Sequence, residues 1–186
     1  SPSPNSASPN LTDENGPSTA AGIFGTAQDG TTFMSGLYGL VFTSFQSIVF
    51  HEGFQQNVNL TAGVTYTMTF YQAHVGQSNY TDGTGTWKVF IDNQEIFQSE
   101  ATIPNSSIFN VNLTWTFQSF TFIPTTSGFQ EIQFLPFDDD ANISSPNGVR
   151  VGIDNVVLTD GIAVANEDVD EDTITNNLDV DSDNDG

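Results

Sequence analysis

The chain lacks cysteine and has almost no basic residues. Its 186 residues include no Cys and only two Lys and Arg together, against 23 Asp and Glu. The absence of thiols excludes disulfides, thiolate zinc sites and cysteine nucleophiles. The formal net charge of −21 repels phosphate backbones and anionic lipid headgroups, so we expect no nucleic acid partner. The longest apolar runs, such as GLYGLVF, are far shorter than the roughly 20 residues of a spanning helix, so we expect no membrane insertion.

The chain also lacks helical periodicity, because no window repeats apolar residues at i, i+3, i+4 and i+7. Short runs rich in Val, Ile, Phe, Tyr and Thr, interrupted by Gly, Pro, Asn and Asp, fill residues 23–165 and predict an all-β domain. The predicted strands are Thr32–Leu37, Ser47–Phe50, Phe54–Leu60, Thr65–Val75, Thr86–Ile91, Val111–Ile123, Phe129–Phe137 and Val149–Leu158. Eight such strands predict a two-sheet antiparallel β-sandwich with jelly-roll topology.

The alternation of apolar residues along these strands predicts which side chains face the core. Trp87 and Trp115 fall in the inward phase, and so does Gln56, which would need hydrogen-bond partners if buried. The apolar phase switches near Gln118-Ser119 and again at Asp154-Asn155. A β-bulge at each of these two places is the simplest explanation of the switch.

Two polar segments flank the predicted domain. Residues 1–22 are rich in Pro, Ser and Asn and are predicted to be a linker or a loosely held first segment. Residues 166–186 lose their apolar content and form an irregular acidic tail. The chain begins without an initiator Met and stops inside the acidic pattern, so we expect a piece of a longer polypeptide with other domains beside it.

The acidic tail places aspartates at alternate positions in two runs. The runs are Asp168, Asp170 and Asp172, and then Asp179, Asp181, Asp183 and Asp185. In a tight loop, such spacing turns carboxylates toward one centre, where a hard cation such as Ca²⁺ neutralises them. The pattern resembles the thrombospondin type 3 repeats of bacterial surface proteins, whose matching aspartates bind Ca²⁺. The alternative is a solvated acidic linker.

Five segments, in order, carry a second resemblance. They are AQDGTTFMSGLYG, GFQQNVNLTAGVTYTMTFYQA, GTWKVFIDNQEIF, WTFQSFTFIPTTSGFQEIQF and VGIDNVVLTD. Their order over residues 25–160 resembles the jelly-roll carbohydrate-binding modules of the xylan- and glucan-binding families. The resemblance implies a non-catalytic module with a structural Ca²⁺ near Asp154, with Asp29 as a further candidate ligand. The family's usual first strand, of Asn-Gly-x-Phe-Glu type, has no match here. The alternative is that Asp29-Gly30 is an ordinary turn and Asp154 a solvated bulge residue.

A sugar site needs aromatic rings that stack on a pyranose and polar groups that bond to hydroxyls. The aromatic candidates are rings predicted to lie outside the core phase or in loops: Tyr38, Tyr71, Tyr80 and Phe90. The polar candidates are Gln72, His74 and Arg150. We therefore expect polysaccharide or a surface glycan as the partner.

Catalytic motifs are missing from the sequence. His51-Glu52 lacks the second His of a zinc protease motif, and no nucleophile elbow, P-loop or dinucleotide fingerprint occurs. The sequence thus predicts a non-catalytic, Ca²⁺-stabilised glycan-binding module of a secreted or cell-surface protein. The alternative is a structural or adhesion module of a large surface adhesin, with a protein partner or no ligand of its own.

Overall fold

The computed structural model describes residues 10–13, 23–24, 26–29, 32–42, 47–77, 84–104, 112–138 and 148–161. These residues form strands β1 (Asn10–Asp13), β2 (Ile23–Phe24), β3 (Thr32–Phe42), β4 (Ser47–His51), β5 (Phe54–Leu60) and β6 (Tyr66–His74). Further along lie β7 (Gly76–Gln77), β8 (Gly85–Ile91), β9 (Gln94–Gln98), β10 (Thr116–Phe122), β11 (Gly128–Asp138) and β12 (Val149–Asp160). The described part contains no helix that could cross a membrane.

The strands form two main antiparallel sheets. The front sheet has the order β1-β3-β12-β6-β10, with β4 also pairing with β3, and the back sheet has the order β5-β11-β8-β9. Strands β2 and β7 form a separate short pair. The chain passes repeatedly from one sheet to the other, and its last strand β12 lies between β3 and β6 in the front sheet. This is the strand order of a jelly roll, and the predicted fold class is confirmed.

The core lies between the two sheets and centres on Trp87. This residue is fully buried, and its indole Nε1 donates a hydrogen bond to the carbonyl of Gly152 in the front sheet at 3.1 Å. Gly36 in β3 leaves the room that the ring needs, since a Cβ there would lie 2.6 Å from the indole. Phe54 and Phe134 stack beside Trp87 with ring centroids 4.8 Å apart. The prediction that the Trp87 side chain faces the core is confirmed.

A second, smaller cluster covers part of the outer face of the front sheet. Trp115, which we expected in the main core, instead packs edge-on against Phe33 at 5.3 Å and lies over Gly152. Its Nε1 donates to the Thr26 carbonyl, so the indole holds residues 26–29 against the sheet. The described residues of this cluster also include Ala27, Val75 and Leu113.

One of the two predicted bulges is present. The register of β12 against β6 shifts between Asp154 and Val157, and Asn155 has a φ of 50°. The bulge predicted at Gln118-Ser119 is wrong, because β10 pairs with β6 without interruption from Thr116 onward. The odd apolar phase that suggested it belongs to residues 111–115, which precede the strand. Phe117 therefore points outward, opposite to the prediction.

Strands β8 and β9 are joined by a two-residue turn at Asp92-Asn93. Both residues have positive φ, 46° and 70°, and Ile91 pairs with Gln94 across the turn. Two successive positive φ angles define a type I′ turn, whose twist matches that of the flanking strands. Strand β9 was not predicted from the sequence, because its polar residues obscure the alternation.

We predict that Asn93→Val destabilises the fold while Asn93→Gly leaves its stability nearly unchanged. A β-branched residue in the left-handed region costs about 1–2 kcal/mol, whereas glycine adopts it freely. Urea unfolding of the two variants measures the difference. Equal midpoints for both variants would contradict the turn geometry.

Candidate functional site

The outer face of the front sheet carries an exposed pair of aromatic rings. Tyr71 in β6 lies directly opposite Phe117 in β10, and their ring centroids are 5.3 Å apart at an interplanar angle of 62°. Phe117 is 55% exposed and Tyr71 is half-buried. We call Tyr71 and Phe117 the aromatic pair. An edge-to-face contact holds the two rings in a fixed relation without covering them.

Hydroxyl groups continue this face beyond the aromatic pair. Every second pair along β6 and β10 from there is Thr69 with Ser119 and then Thr67 with Thr121. Because residues two apart on a strand share one face, these side chains lie on the same surface as the two rings. Hydroxyls that both donate and accept hydrogen bonds therefore lie next to stacking surface.

Of the aromatic candidates from the sequence, Tyr71 is the one that the structure brings to this face. Tyr38 was expected in a loop but lies within β3, where it is buried in the core and stacks on Phe137. Phe90 points to the outer side of the back sheet, as its phase predicts, but it is only 5% exposed and offers no stacking surface. Tyr80 lies outside the described residues. Phe117 was missed because its phase was read together with that of residues 111–115.

The polar candidates Gln72 and His74 belong to the core and not to a surface. Both lie in the inward phase of β6 and are buried. Gln72 Nε2 donates to the Glu100 carbonyl at 2.7 Å, and Gln72 Oε1 accepts from Ser99 at 2.7 Å. A buried amide that is bonded in this way stabilises the fold, so the expectation that Gln72 is available to a ligand is wrong. The same burial removes His74 from any exposed site.

Arg150 is also buried and already has hydrogen-bond and ion-pair partners. Its guanidinium donates to Ser35 Oγ at 3.1 Å and forms an ion pair with Glu52 at 3.3 Å. The other basic residue of the chain, Lys88, pairs with Glu95 at 3.0 Å and lies 4.8 Å from the ring of Phe137. Since these two are the only Lys and Arg residues in the sequence, each basic side chain already has an acidic partner.

Asp154 sits at the bulge of β12 and joins distant parts of the chain. Its Oδ2 accepts the backbone N–H of Gln28 at 2.8 Å, and its Oδ1 accepts the N–H of Asn155 at 2.8 Å. Each oxygen of the Asp154 carboxylate thus accepts one backbone N–H, and these two hydrogen bonds stabilise the bulge. Asp29 is exposed beside this contact.

The acidic side chains of the described residues do not gather into one group around Asp154. Within the described ranges, no three His, Asp or Glu side chains come together as metal ligands would, and Ca²⁺ requires six to eight oxygens. The tail aspartates Asp168, Asp170, Asp172, Asp179, Asp181, Asp183 and Asp185 lie outside the described residues. Calcium binding therefore stays a prediction from the sequence.

An apolar cleft lies elsewhere among the described residues, between the two sheets at the edge formed by β5. It has a volume of about 540 Å³ and a mainly apolar lining that includes Phe54, Met68, Ile132 and Leu158. Gln56 lines this cleft, which confirms its inward phase, but its side chain is exposed and not buried as expected. Apolar walls suit packing better than recognition of hydroxyls, so we do not place the sugar site here.

Comparison with known proteins gives fold neighbours only. No family model matches the chain, and no curated protein matches it. One similar solved structure is the EclA C-terminal domain, described as a sugar-binding protein, at 16% identity and a TM-score of 0.40, covering 83% of this chain and 81% of that one. Another is TmCBM61 in complex with beta-1,4-galactotriose, at 14% identity and a TM-score of 0.42, covering 82% and 88%.

A third similar structure is the K3 cleaved adhesin domain of Lys-gingipain from Porphyromonas gingivalis, at 12% identity and a TM-score of 0.41, covering 82% of this chain and 91% of that one. Such low identities and TM-scores say nothing about the ligand of the present chain. The assignment of a ligand rests on the surface described above.

His51 gives the fold a specific pH dependence. Burial lowers the pKa of His51 below its ordinary value of 6.5, partly offset by a hydrogen bond to the Pro136 carbonyl at 2.8 Å. Because the unfolded chain then binds a proton at higher pH than the folded chain, this residue's contribution to stability is present above the unfolded pKa. It is lost as the pH falls from about 6.5 toward the folded pKa.

We predict that His51→Asn reduces the loss of stability between about pH 7.5 and about pH 5.5. Both proteins carry the same carboxylates, so the difference between their urea midpoints isolates the imidazole. Parallel curves for the two proteins would show that His51 does not titrate differently on folding.

Proposed function

We propose that this chain is a non-catalytic module that binds a neutral glycan on the outer face of its front sheet. The observation that carries the proposal is the aromatic pair, with Phe117 55% exposed beside a partly covered Tyr71. Two rings in contact on one sheet face form a contiguous apolar patch, and such patches mark interaction sites more often than single exposed rings do. Two rings fixed by mutual contact present an apolar surface to the C–H face of a pyranose.

The Thr and Ser hydroxyl groups beside the aromatic pair supply the polar part of such a site. Thr69 and Ser119 are the next pair on the same face, two residues along each strand from the rings, within reach of the next hydroxyls along a sugar chain. Binding sites commonly combine apolar contact surface with a few polar groups that fix orientation. Because these groups stand on paired strands and not on loops, the site needs little reorganisation when a ligand binds.

The charge distribution selects neutral over acidic glycans. The chain carries a net charge of −21, and Lys88 and Arg150 are each held in an ion pair. A uronic acid or sulfate group would meet repulsion and would need to break one of these pairs to find a cation. Affinity for a neutral glycan should accordingly change little with salt concentration.

The location that fits this function is outside the cell or on its surface, where polysaccharides are met. The alternative, a structural module of a large adhesin, has one feature in its favour. Beyond the aromatic pair the same face is covered by Thr and Ser side chains such as Thr67 and Thr121, which offer no stacking surface. Failure to bind any glycan would support that alternative.

We predict that Phe117→Ala and Tyr71→Ala each weaken glycan binding while the fold remains intact. By analogy with bases stacked on aromatic side chains, the loss is about 1–3 kcal/mol, or roughly 5- to 150-fold in Kd. A glycan array of neutral and uronic-acid polysaccharides identifies the ligand, and affinity electrophoresis measures the change.

The matched control is Ile123→Ala, which removes an equally exposed apolar side chain, 59% accessible, just beyond the end of β10. It should bind as the unaltered protein does. Unchanged binding by both aromatic variants would show that the sugar site is elsewhere.

A stabilising role for Ca²⁺ also remains part of the proposal, on the strength of the acidic tail and the high negative charge. A cation that binds the folded chain raises its melting temperature by mass action. We expect a higher midpoint in millimolar Ca²⁺ than in chelator, and the same shift in Asp154→Asn if the tail holds the ion. A shift that disappears in Asp154→Asn would place the ion at the bulge, and no shift in either protein would contradict calcium binding.

A further inference from the structure

The outer face of the back sheet carries a closed network of two amides and one carboxylate. Gln55 in β5 lies directly opposite Gln133 in β11, and Glu131 is two residues before Gln133 on the same face. Gln55 Nε2 donates to Glu131 Oε2 at 2.7 Å, and Gln133 Nε2 donates to Glu131 Oε1 at 2.6 Å. A third bond of 3.2 Å joins Gln133 Nε2 to Gln55 Oε1. We call these three residues the amide triangle.

The amide triangle has more acceptors than donors. Gln133 is 4% exposed, and its Oε1 is one of the few buried side-chain atoms in the described part that receive no hydrogen bond. The Glu131 carboxylate accepts one bond on each oxygen and retains further lone pairs. Oε1 of Gln133 has almost no accessible surface, so the acceptors that an outside molecule can reach are the remaining lone pairs of the Glu131 carboxylate.

The rim of the triangle offers further groups of the kind that sugars use. Asn57 lies opposite Glu131, and Asn59 lies opposite Phe129, which is 80% exposed. Along each strand these residues are about 7 Å apart on one face. The surface thus combines one open ring with a row of amides and a carboxylate held in place by its neighbours.

We propose that this face is a second glycan-binding site and that the module joins two glycan chains. The proposal extends the function proposed above, since it assigns the same class of neutral ligand to the opposite surface. The first site binds mainly by stacking on the aromatic pair, whereas in the second the Glu131 carboxylate accepts hydrogen bonds from sugar hydroxyls, with the exposed amides of Asn57 and Asn59 beside it.

Two sites on opposite faces of a sandwich cannot be filled by one short oligosaccharide. Each face holds its own chain, so the module cross-links polysaccharide or gains avidity on a dense glycan surface. A single-site module of the same fold would coat a polysaccharide without joining its chains.

The experiment is calorimetric titration with a soluble hexasaccharide of the neutral polysaccharide that scores highest on the array, xylohexaose for xylan or cellohexaose for glucan. The proposal expects two hexasaccharides per chain, one after Glu131→Gln, one after Phe117→Ala, and none after both changes. Glu95→Gln is the control, because it is the same substitution on the same sheet outside the triangle, and it should leave two. Agglutination of polysaccharide-coated beads should follow the stoichiometry and be lost in each single-site variant.

The possible outcomes separate the two proposals. One hexasaccharide per chain, lost with Phe117→Ala and kept with Glu131→Gln, would overturn the second site and leave the first. One hexasaccharide lost with Glu131→Gln and kept with Phe117→Ala would support the amide triangle and overturn the aromatic pair. No binding to any neutral glycan would overturn both.

Discussion

The structure depends on one indole that connects the two sheets. Trp87 belongs to the back sheet, yet its Nε1 is bonded to the Gly152 carbonyl of the front sheet, and its ring fills the space that Gly36 leaves open. A fully buried N–H must find an acceptor, so the ring's position fixes the distance and register between the sheets. The inner face of each sheet therefore packs against the inner face of the other. The aromatic pair lies on the outer face of the front sheet, and the amide triangle lies on the outer face of the back sheet.

The small number of basic residues also constrains the structure. With two basic residues against 23 acidic ones, the protein cannot neutralise its surface, and it places its cations in specific structural contacts. Arg150 is buried with Ser35 and Glu52, and Lys88 lies between Glu95 and the ring of Phe137. Apart from the partly exposed Lys88, the charged side chains that remain outside are acidic. Self-repulsion of that kind keeps the molecule soluble and destabilises the compact state, which the aromatic core must offset.

The sequence predicted the architecture better than the surface. Strand β5 was predicted with its observed bounds and the bulge at Asp154 was found, because alternation and its interruption are local signals. Phe117 was misassigned because the strand begins only at Thr116, and nothing in the sequence marks that start. Gln72 was misassigned although its phase was inward, since its partners Ser99 and Glu100 lie 27 and 28 residues away. The amide triangle was missed for the same reason: Gln55 and Glu131 are 76 residues apart and meet only when β5 pairs with β11.

The contact between Gln28 and Asp154 affects how the fold would respond to a pulling force. Strand β3 starts beside the middle of β12, where Met34 pairs with Ile153, and β12 then runs on to Asp160 against β6. The Asp154 carboxylate and the bond from Asn155 Nδ2 to Gln28 Oε1 at 2.7 Å lie where the pairing of β12 with β3 ends. Tension applied after residue 161 would first detach the end of β12 from β6. The contacts between Gln28 and residues 154–155 would then resist the separation of β12 from β3.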